Sequence, residues 1–273
     1  MEEKSLNLQA ILREMDSVLI AYSGGVDSTF LATVAHDVLG ERALAVTGIS
    51  PSVAPDEGAE ARHLAEQIGL RYQTINTEEM DDPGYVANNP NRCFHCKDEL
   101  FTKLDRVAAV EGLAWVADGF NVDDRGDYRP GQQAARGHGV RSPLSEAGLT
   151  KADIRRLSHE RGLPTWDKPA MACLSSRIPY GTPVTVEALQ RIGRAEKALR
   201  ELGLRQLRVR HHGEVARIET DADGMQVLME ASVRTMAVER LKELGYLYVA
   251  MDLAGYRSGS LNEAIPLELV ERR

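Results

Sequence analysis

The chain of 273 residues, 43% hydrophobic and 27% charged, is long enough for about two domains with a sizeable core and has the composition of an ordinary soluble globular protein. Its formal net charge of −8 argues against a broad basic face for nucleic acid. No apolar run reaches the length of a membrane span, and three cysteines, an odd number, do not make a disulfide framework.

The N-terminus, Met1-Glu2-Glu3-Lys4, has neither the basic nor the apolar stretch of an export signal, so a cytoplasmic protein is expected. Residues 18–22 predict a buried strand, and Phe30, Leu31, Val34, Ala35, Val38 and Leu39 recur at helical spacing up to a stop at Gly40. Between them lies Ser23-Gly24-Gly25-Val26-Asp27-Ser28-Thr29. A strand, a glycine turn and a helix start aim backbone N–H groups at an anion. Gly24 and Gly25 let the backbone approach a phosphate, and Ser23, Ser28 and Thr29 add hydroxyl donors. No Gly-Lys-Ser/Thr follows the glycines, so this is not a Walker A loop, and the three-glycine dinucleotide pattern is missing as well. The turn resembles the pyrophosphate loop of the ATP-pyrophosphatase superfamily, Ser-Gly-Gly-x-Asp-Ser, whose members split ATP to AMP and pyrophosphate.

Further strands are predicted at 43–49, 71–77 and 114–120, with helices at 56–68 and from residue 91 to about 108. Strands alternating with helices imply a doubly wound parallel sheet, with ligands at the carboxyl ends of its strands. On the helix from residue 91, Cys93 and Cys96 are three apart and share a face near its N-terminus, which favours their thiolates. That spacing is a ligand or redox pattern, although two cysteines also serve as small buried hydrophobes. The strand end Asp118-Gly119-Phe120-Asn121-Val122-Asp123-Asp124 suits a ribose, a metal or a substrate, or a solvated turn. Residues 125–141 read as a glycine-rich basic loop. Thr150 caps a helix through residue 158, with Lys151 at its start either reaching a phosphate or simply exposed.

The segment 163–185 is long and irregular yet holds Trp166, Met171, Cys173 and Tyr180, so a functional loop is expected. A helix at 185–203, a hairpin over 207–219, a helix to about residue 244 and a strand at 246–253 make a smaller α+β unit. The expected domains are 1–165, which carries the glycine turn, and 166–273. Arg208 and Arg210 share one side of a strand, as oxyanion ligands or as an exposed charged face. Glu219 pairs with them, binds a metal or is solvated.

Together the pyrophosphate loop, the run Lys168-Pro169…Cys173…Ser175-Ser176-Arg177…Pro179-Tyr180-Gly181, Arg208-Val209-Arg210 and Gly255-Tyr256-Arg257-Ser258-Gly259-Ser260 resemble the LarE family. The likeness runs from about Leu8 to Pro266. These are ATP-dependent sulfur-inserting enzymes of nickel-pincer nucleotide cofactor biosynthesis. The resemblance implies an adenine nucleotide alpha hydrolase-like fold with a smaller C-terminal domain. It also implies adenylation of a carboxylate of pyridinium-3,5-biscarboxylic acid mononucleotide, with Mg2+, followed by displacement of AMP by sulfur. The matched positions imply ATP binding by Ser23, Gly24, Gly25, Asp27, Ser28 and Thr29. They imply substrate binding by Arg208, Arg210, Arg257 and Ser258, and catalysis by Cys173 and Asp27. Single-cysteine members sacrifice the thiol matching Cys173. This chain departs from them in having Cys93 and Cys96 as well, and it is similar to members whose three cysteines hold a 4Fe-4S cluster with one open iron. A three-cysteine zinc site with His95 is the metal alternative. The partner expected is a small nucleotide substrate, with no membrane and no nucleic acid, and the protein is expected to be a homo-oligomer. Competing readings are a tRNA-thiolating enzyme, an NAD-synthetase-like amide-forming ligase and a noncatalytic nucleotide-binding module.

Overall fold

A computed structural model describes residues 2–126, 130–169, 172–257 and 259–261. In chain order the elements are helix α1 (Glu2–Met15), strand β1 (Val18–Ala21), α2 (Val26–Leu39), β2 (Ala43–Ile49), α3 (Pro55–Ile68), β3 (Tyr72–Asn76) and α4 (Pro83–Val86). There follow α5 (Arg92–Glu111), β4 (Trp115–Ala117), α6 (Pro130–Gly137), α7 (Pro143–Glu146), α8 (Lys151–Glu160) and α9 (Val186–Glu201). The chain closes with β5 (Leu207–His212), β6 (Val215–Thr220), α10 (Ala222–Met229), α11 (Ala231–Glu243) and β7 (Tyr248–Met251). It forms two compact units, the first from Met1–Glu79 and Cys93–Met171, the second from Met80–Arg92 and Ala172–Arg273.

In the first unit four parallel strands lie in the order β3-β2-β1-β4. Alternation along β1 explains why both faces are covered. Val18 and Ile20 point into one apolar cluster with Leu8, Leu12, Phe30, Val34 and Ile154. Leu19 points to the other side, into a cluster with Leu44, Val46, Phe101 and Leu104. Helices therefore occupy both sides, and the sheet is doubly wound, as the alternating pattern implies. The chain leaves β1 for β2 on one side while β4 lies on the other, so the order reverses between β1 and β4. That crevice, at the strands' carboxyl ends, is where such folds hold ligands.

Three helices of this unit, α1, α6 and the four-residue α7, are not among the elements read from the sequence. α1 buries Leu8, Leu12 and Met15 along one stripe. α6 lies inside 125–141, which reads as a loop. Pro130 opens it and Ala134 and Ala135 are buried, so a short alanine face replaces the large apolar residues that make periodicity legible.

Beyond α6, His138 lies between two carboxylates of α5, with Nδ1 2.7 Å from Asp105 and Nε2 3.1 Å from Asp98. Burial alone lowers its pKa, but the hydrogen bonds to Asp105 and Asp98 outweigh it and raise the value above the ordinary 6.5. A folded-state pKa above the unfolded one stabilises the protein fully below the unfolded value, and that stability is lost as pH rises through the folded value. Urea midpoints should thus fall as pH climbs from about 6.5 through the raised value, and His138→Gln should flatten that part of the profile.

In the second unit β5 and β6 form the predicted hairpin, and β7 joins β6 in parallel. The helix expected to run to residue 244 is two helices, α10 and α11, separated at Glu230, whose backbone is extended. The segment 80–92 is fastened to the loop that follows Cys173. Asn88 Nδ2 donates to the carbonyls of Pro179 and Thr182, both at 2.8 Å. The buried Arg92 donates to the Ser175 carbonyl at 2.9 Å, and the Tyr85 hydroxyl meets that of Ser175.

Candidate active site

The glycine turn sits at the switch point of the first unit. Gly24 has φ +68°, and a Cβ there would lie 3.0 Å from the Cα of Ala61 on α3. Both the left-handed backbone and the close approach require glycine. Gly25 is the N-cap of α2. The Ser23 N–H donates to Ser28 Oγ at 3.2 Å, and the two serine hydroxyls are 3.1 Å apart. Thr29 is fully buried, and its hydroxyl lies 3.5 Å from that of Tyr22. Burial pushes the Tyr22 phenol up to about 12, so it stays neutral beneath the turn.

Asp27, in the first turn of α2, is the meeting point of three segments. Its carboxylate pairs with Lys151 Nζ and lies 3.5 Å from Asn121 Nδ2. Gly119, past the end of β4, is packed so closely that a Cβ would lie 3.1 Å from the Ser28 nitrogen. Asp123 accepts the Lys151 backbone N–H at 2.7 Å. That bond and the Thr150–Asp153 capping box fix the start of α8 against the strand end. Lys168 Nζ donates to the Gly24 carbonyl at 3.3 Å and lies 3.2 Å from Glu60. The sequence offers Lys151 as reaching a phosphate or exposed, and Lys168 only as part of the run that resembles the family. The Thr150 cap was the one signal for Lys151, because it makes the next residue the first of a helix. Magnesium fits this donor set, since it is held by one or two carboxylates together with phosphate oxygens, and Asp27 supplies one beside a helix N-terminus.

Cys93 and Cys96 fall in the first turn of α5, as their spacing implies, with Cys93 exposed and Cys96 half-buried. A Cβ on Gly131 of α6 would lie 3.3 Å from the Cys93 carbonyl, so α6 packs closely on this turn. Among the described residues no three His, Cys, Asp or Glu side chains are grouped to hold a metal ion. The pair belongs to the first unit and Cys173 to the second.

Cys173 is half-buried and precedes a short 3-10 turn, Leu174–Arg177. Arg177 holds that turn. It donates to the carbonyls of Ala172 and Cys173 at 2.6 and 3.2 Å and pairs with both oxygens of Glu196 on α9 at 2.8 and 3.0 Å. Glu196 is buried and also accepts the Val209 N–H at 3.0 Å. Removing one partner of such a pair strands a buried charge, at a cost of about 3–5 kcal/mol. Arg177→Met should therefore lower the urea midpoint of unfolding sharply, whereas Arg200→Met, which removes an exposed partner of the same carboxylate, should change it little.

Arg210 is buried and makes a 2.7 Å ion pair with the buried Glu219. It also donates to the Ser176 carbonyl and the Ser260 hydroxyl, both at 2.7 Å. With Arg177, His212, Arg217 and Ser260 it lines a small open pocket of about 120 Å³. Within that lining Arg177 answers Glu196, Arg210 answers Glu219, and Arg217 answers Glu219 and Asp252. Arg208 differs. It lies over the Tyr256 ring at 4.7 Å and makes no hydrogen bond to an acid among the described residues. Burial, together with the charges of Arg177 and Arg210, pushes its pKa down, yet a guanidinium stays charged. Arg257 is exposed, and Ser258 lies outside the described residues. No helix of the described residues is long and apolar enough to cross a membrane.

Comparison with known proteins bears on both units. The NAD synthase family model matches residues 3–92, which include the glycine turn. A pyridinium-3,5-bisthiocarboxylic acid mononucleotide synthase of Lactiplantibacillus plantarum is 38% identical over 269 residues, 96% of this chain and 95% of its own. An uncharacterized protein of Synechocystis is 48% identical over 97% of this chain and 99% of its own. A tRNA-specific 2-thiouridylase of Deinococcus radiodurans is 28% identical over 56% of this chain and 50% of its own.

Proposed function

Because the chain belongs to the LarE family, we propose that it is an ATP-dependent sulfurtransferase that converts a carboxylate of pyridinium-3,5-biscarboxylic acid mononucleotide to a thiocarboxylate. The observation that carries this reading is the near full-length likeness to a synthase named for the bisthiocarboxylic product. The site residues support it chemically. A carboxylate oxygen of the substrate attacks the α-phosphorus of ATP, the bond to the β-phosphate oxygen breaks, and pyrophosphate leaves with the electron pair. Sulfur then attacks the acyl carbon, and AMP departs.

Within this proposal Ser23, Gly24, Gly25, Ser28 and the first N–H groups of α2 hold the phosphates, with the buried Thr29 supporting the turn. Asp27 would hold Mg2+, which when bound would spread the phosphate charge. Arg208, Arg210, Arg257 and Ser258 take the substrate phosphate. Residues 1–165 serve the nucleotide, and 166–273 serve sulfur transfer and substrate.

For the sulfur we propose the thiolates of Cys93, Cys96 and Cys173 as ligands of a 4Fe-4S cluster. The helix N-terminus at Cys93 and Cys96 supports thiolates there. When bound, such a cluster would supply sulfide from its one iron without a cysteine. The other source is Cys173 itself. Its thiolate forms a thioester as AMP leaves, and loss of the Cα proton then breaks the Cβ–S bond, giving thiocarboxylate and dehydroalanine. Anaerobic purification with iron and sulfide analysis, then a protein mass after turnover, separates them. About four irons per chain with an unchanged mass supports the cluster, and loss of sulfur from Cys173 supports sacrifice.

The partial match to a tRNA thiouridylase favours a second reading, thiolation of tRNA. The acidic balance of the chain speaks against it. Salt-sensitive tRNA binding would support it.

A further inference from the structure

Resting on the sulfurtransferase reading above, we infer that Tyr248 is a substrate-binding residue whose exposed ring is the surface on which the substrate's pyridinium ring stacks. The inference comes from the pleat of the second sheet. Side chains alternate between the two faces of a strand. Val209, Ile218 and Val249 point into the apolar cluster under the helices of this unit. The register brings their neighbours to the opposite face in rows that cross the three strands. One row is Arg210 on β5, Arg217 on β6 and Ala250 on β7, and the next is His212, Val215 and Tyr248. Arg210, Arg217 and His212 also line the small pocket of this unit, so the tyrosine row continues the same surface.

Charge sorts a pyridinium mononucleotide across these rows. The phosphate goes to arginine, and the same cations repel the ring. On one side of them Glu219 and Asp252 are already paired with Arg210 and Arg217. On the other side Tyr248 is 65% exposed, and among the described residues its side chain has no ring pair, cation contact or hydrogen bond. The face of a tyrosine ring is negative and attracts a cation. The substrate's two carboxylates lie at the edge of its ring and leave the cationic face to the tyrosine. From Arg210 to Tyr248 is two strand spacings across, about 10 Å, and one pleat along, about 7 Å. Two long side chains, with a ribose between phosphate and ring, close that gap. His212 accepts the Arg217 Nε–H at 3.3 Å. Desolvation, with the charges of Arg217 and Arg210, pushes its pKa down, so at neutral pH it adds no cation to the tyrosine row.

The test separates ring from phosphate. Ribose 5-phosphate and nicotinic acid mononucleotide, a pyridinium mononucleotide with one carboxylate, are titrated into the full chain by calorimetry. Tyr248→Leu should weaken the mononucleotide about fivefold, the worth of a cation over an exposed aromatic face, and leave ribose 5-phosphate unchanged. Tyr248→Phe keeps the ring and should match the unaltered protein, and Tyr248→Trp, with the stronger face, should bind the mononucleotide more tightly. The side chain is exposed, so the three variants should keep the fold, and ribose 5-phosphate binding reports it. Three results overturn the stacking surface: unchanged mononucleotide affinity in Tyr248→Leu, equal losses on both ligands, or a mononucleotide that binds the unaltered protein no tighter than ribose 5-phosphate. Failure of the sulfurtransferase reading is separate, because the unaltered enzyme would then form no thiocarboxylate whatever these affinities are.

Discussion

Cys173→Ala should leave ATP cleavage running while thiocarboxylate formation falls below detection. The glycine turn, Asp27 and Lys151 belong to the first unit, and Cys173 belongs to the second, so adenylation is expected to proceed without this thiol. Without it the acyl-adenylate has water as its nucleophile, and AMP and pyrophosphate accumulate with the starting acid regenerated. The substitution is also gentle on the fold. Arg177 bonds the backbone carbonyl of Cys173, not its sulfur, so the turn keeps its anchor. Loss of about a thousandfold or more in product, with pyrophosphate release within a few-fold of the unaltered enzyme, is the expected pattern for loss of an essential nucleophile or ligand. The companion variants Cys93→Ala and Cys96→Ala sharpen it. Each should abolish product if the three thiolates act together. Each should leave a single turnover per chain if Cys173 alone gives up its sulfur.

The second large effect is expected at Asp27. Asp27→Asn keeps the shape of the side chain but removes the charge that meets either Lys151 or Mg2+, and it lies in the first turn of α2. Pyrophosphate release should drop by about 100- to 1,000-fold, the range for losing one element of charge stabilisation in a preorganised site. Folding should hold, because the side chain is partly exposed and an ion pair of this kind contributes at most about 1 kcal/mol. Raising Mg2+ should restore little of the rate, since the amide is a poor ligand. Restoration to near the original rate at high Mg2+ would move the metal's protein ligand elsewhere in the site.

The sequence-level reading succeeds where chemistry and periodicity coincide. β1, the glycine turn and α2 form one uninterrupted signal: an apolar run, two glycines of which Gly24 takes a positive φ, then an apolar helix. The cysteine pair at the start of α5 was legible for the same reason, as spacing alone puts Cys93 and Cys96 on one face. Pairings across the chain were not legible. Lys151 meets Asp27 across 124 positions, and nothing local to either residue announces the other. The same holds for Arg92 and Ser175, 83 positions apart. Arg177 stood inside a motif of the resemblance, yet its role as the anchor between the Cys173 turn and Glu196 depends on where α9 packs. Arg208 and Arg210 share a strand side, as period two requires, but burial gave them different tasks. Arg210 is paired with Glu219 by hydrogen bond, whereas Arg208, opposite Glu219 in the strand register, lies over the Tyr256 ring. α1 and α6 leave little periodic signal because their buried faces are narrow, three residues in one case and two alanines in the other.

The central claim is that ATP is cut between its α- and β-phosphorus atoms to activate a carboxylate for sulfur. The most direct measurement is product analysis of α- and γ-labelled ATP incubated anaerobically with the protein, Mg2+ and pyridinium-3,5-biscarboxylic acid mononucleotide, with mass spectrometry of the pyridinium product. AMP and pyrophosphate in equal amounts, with sulfur in place of one carboxylate oxygen, is the result this account predicts. ADP and orthophosphate as the nucleotide products would contradict it.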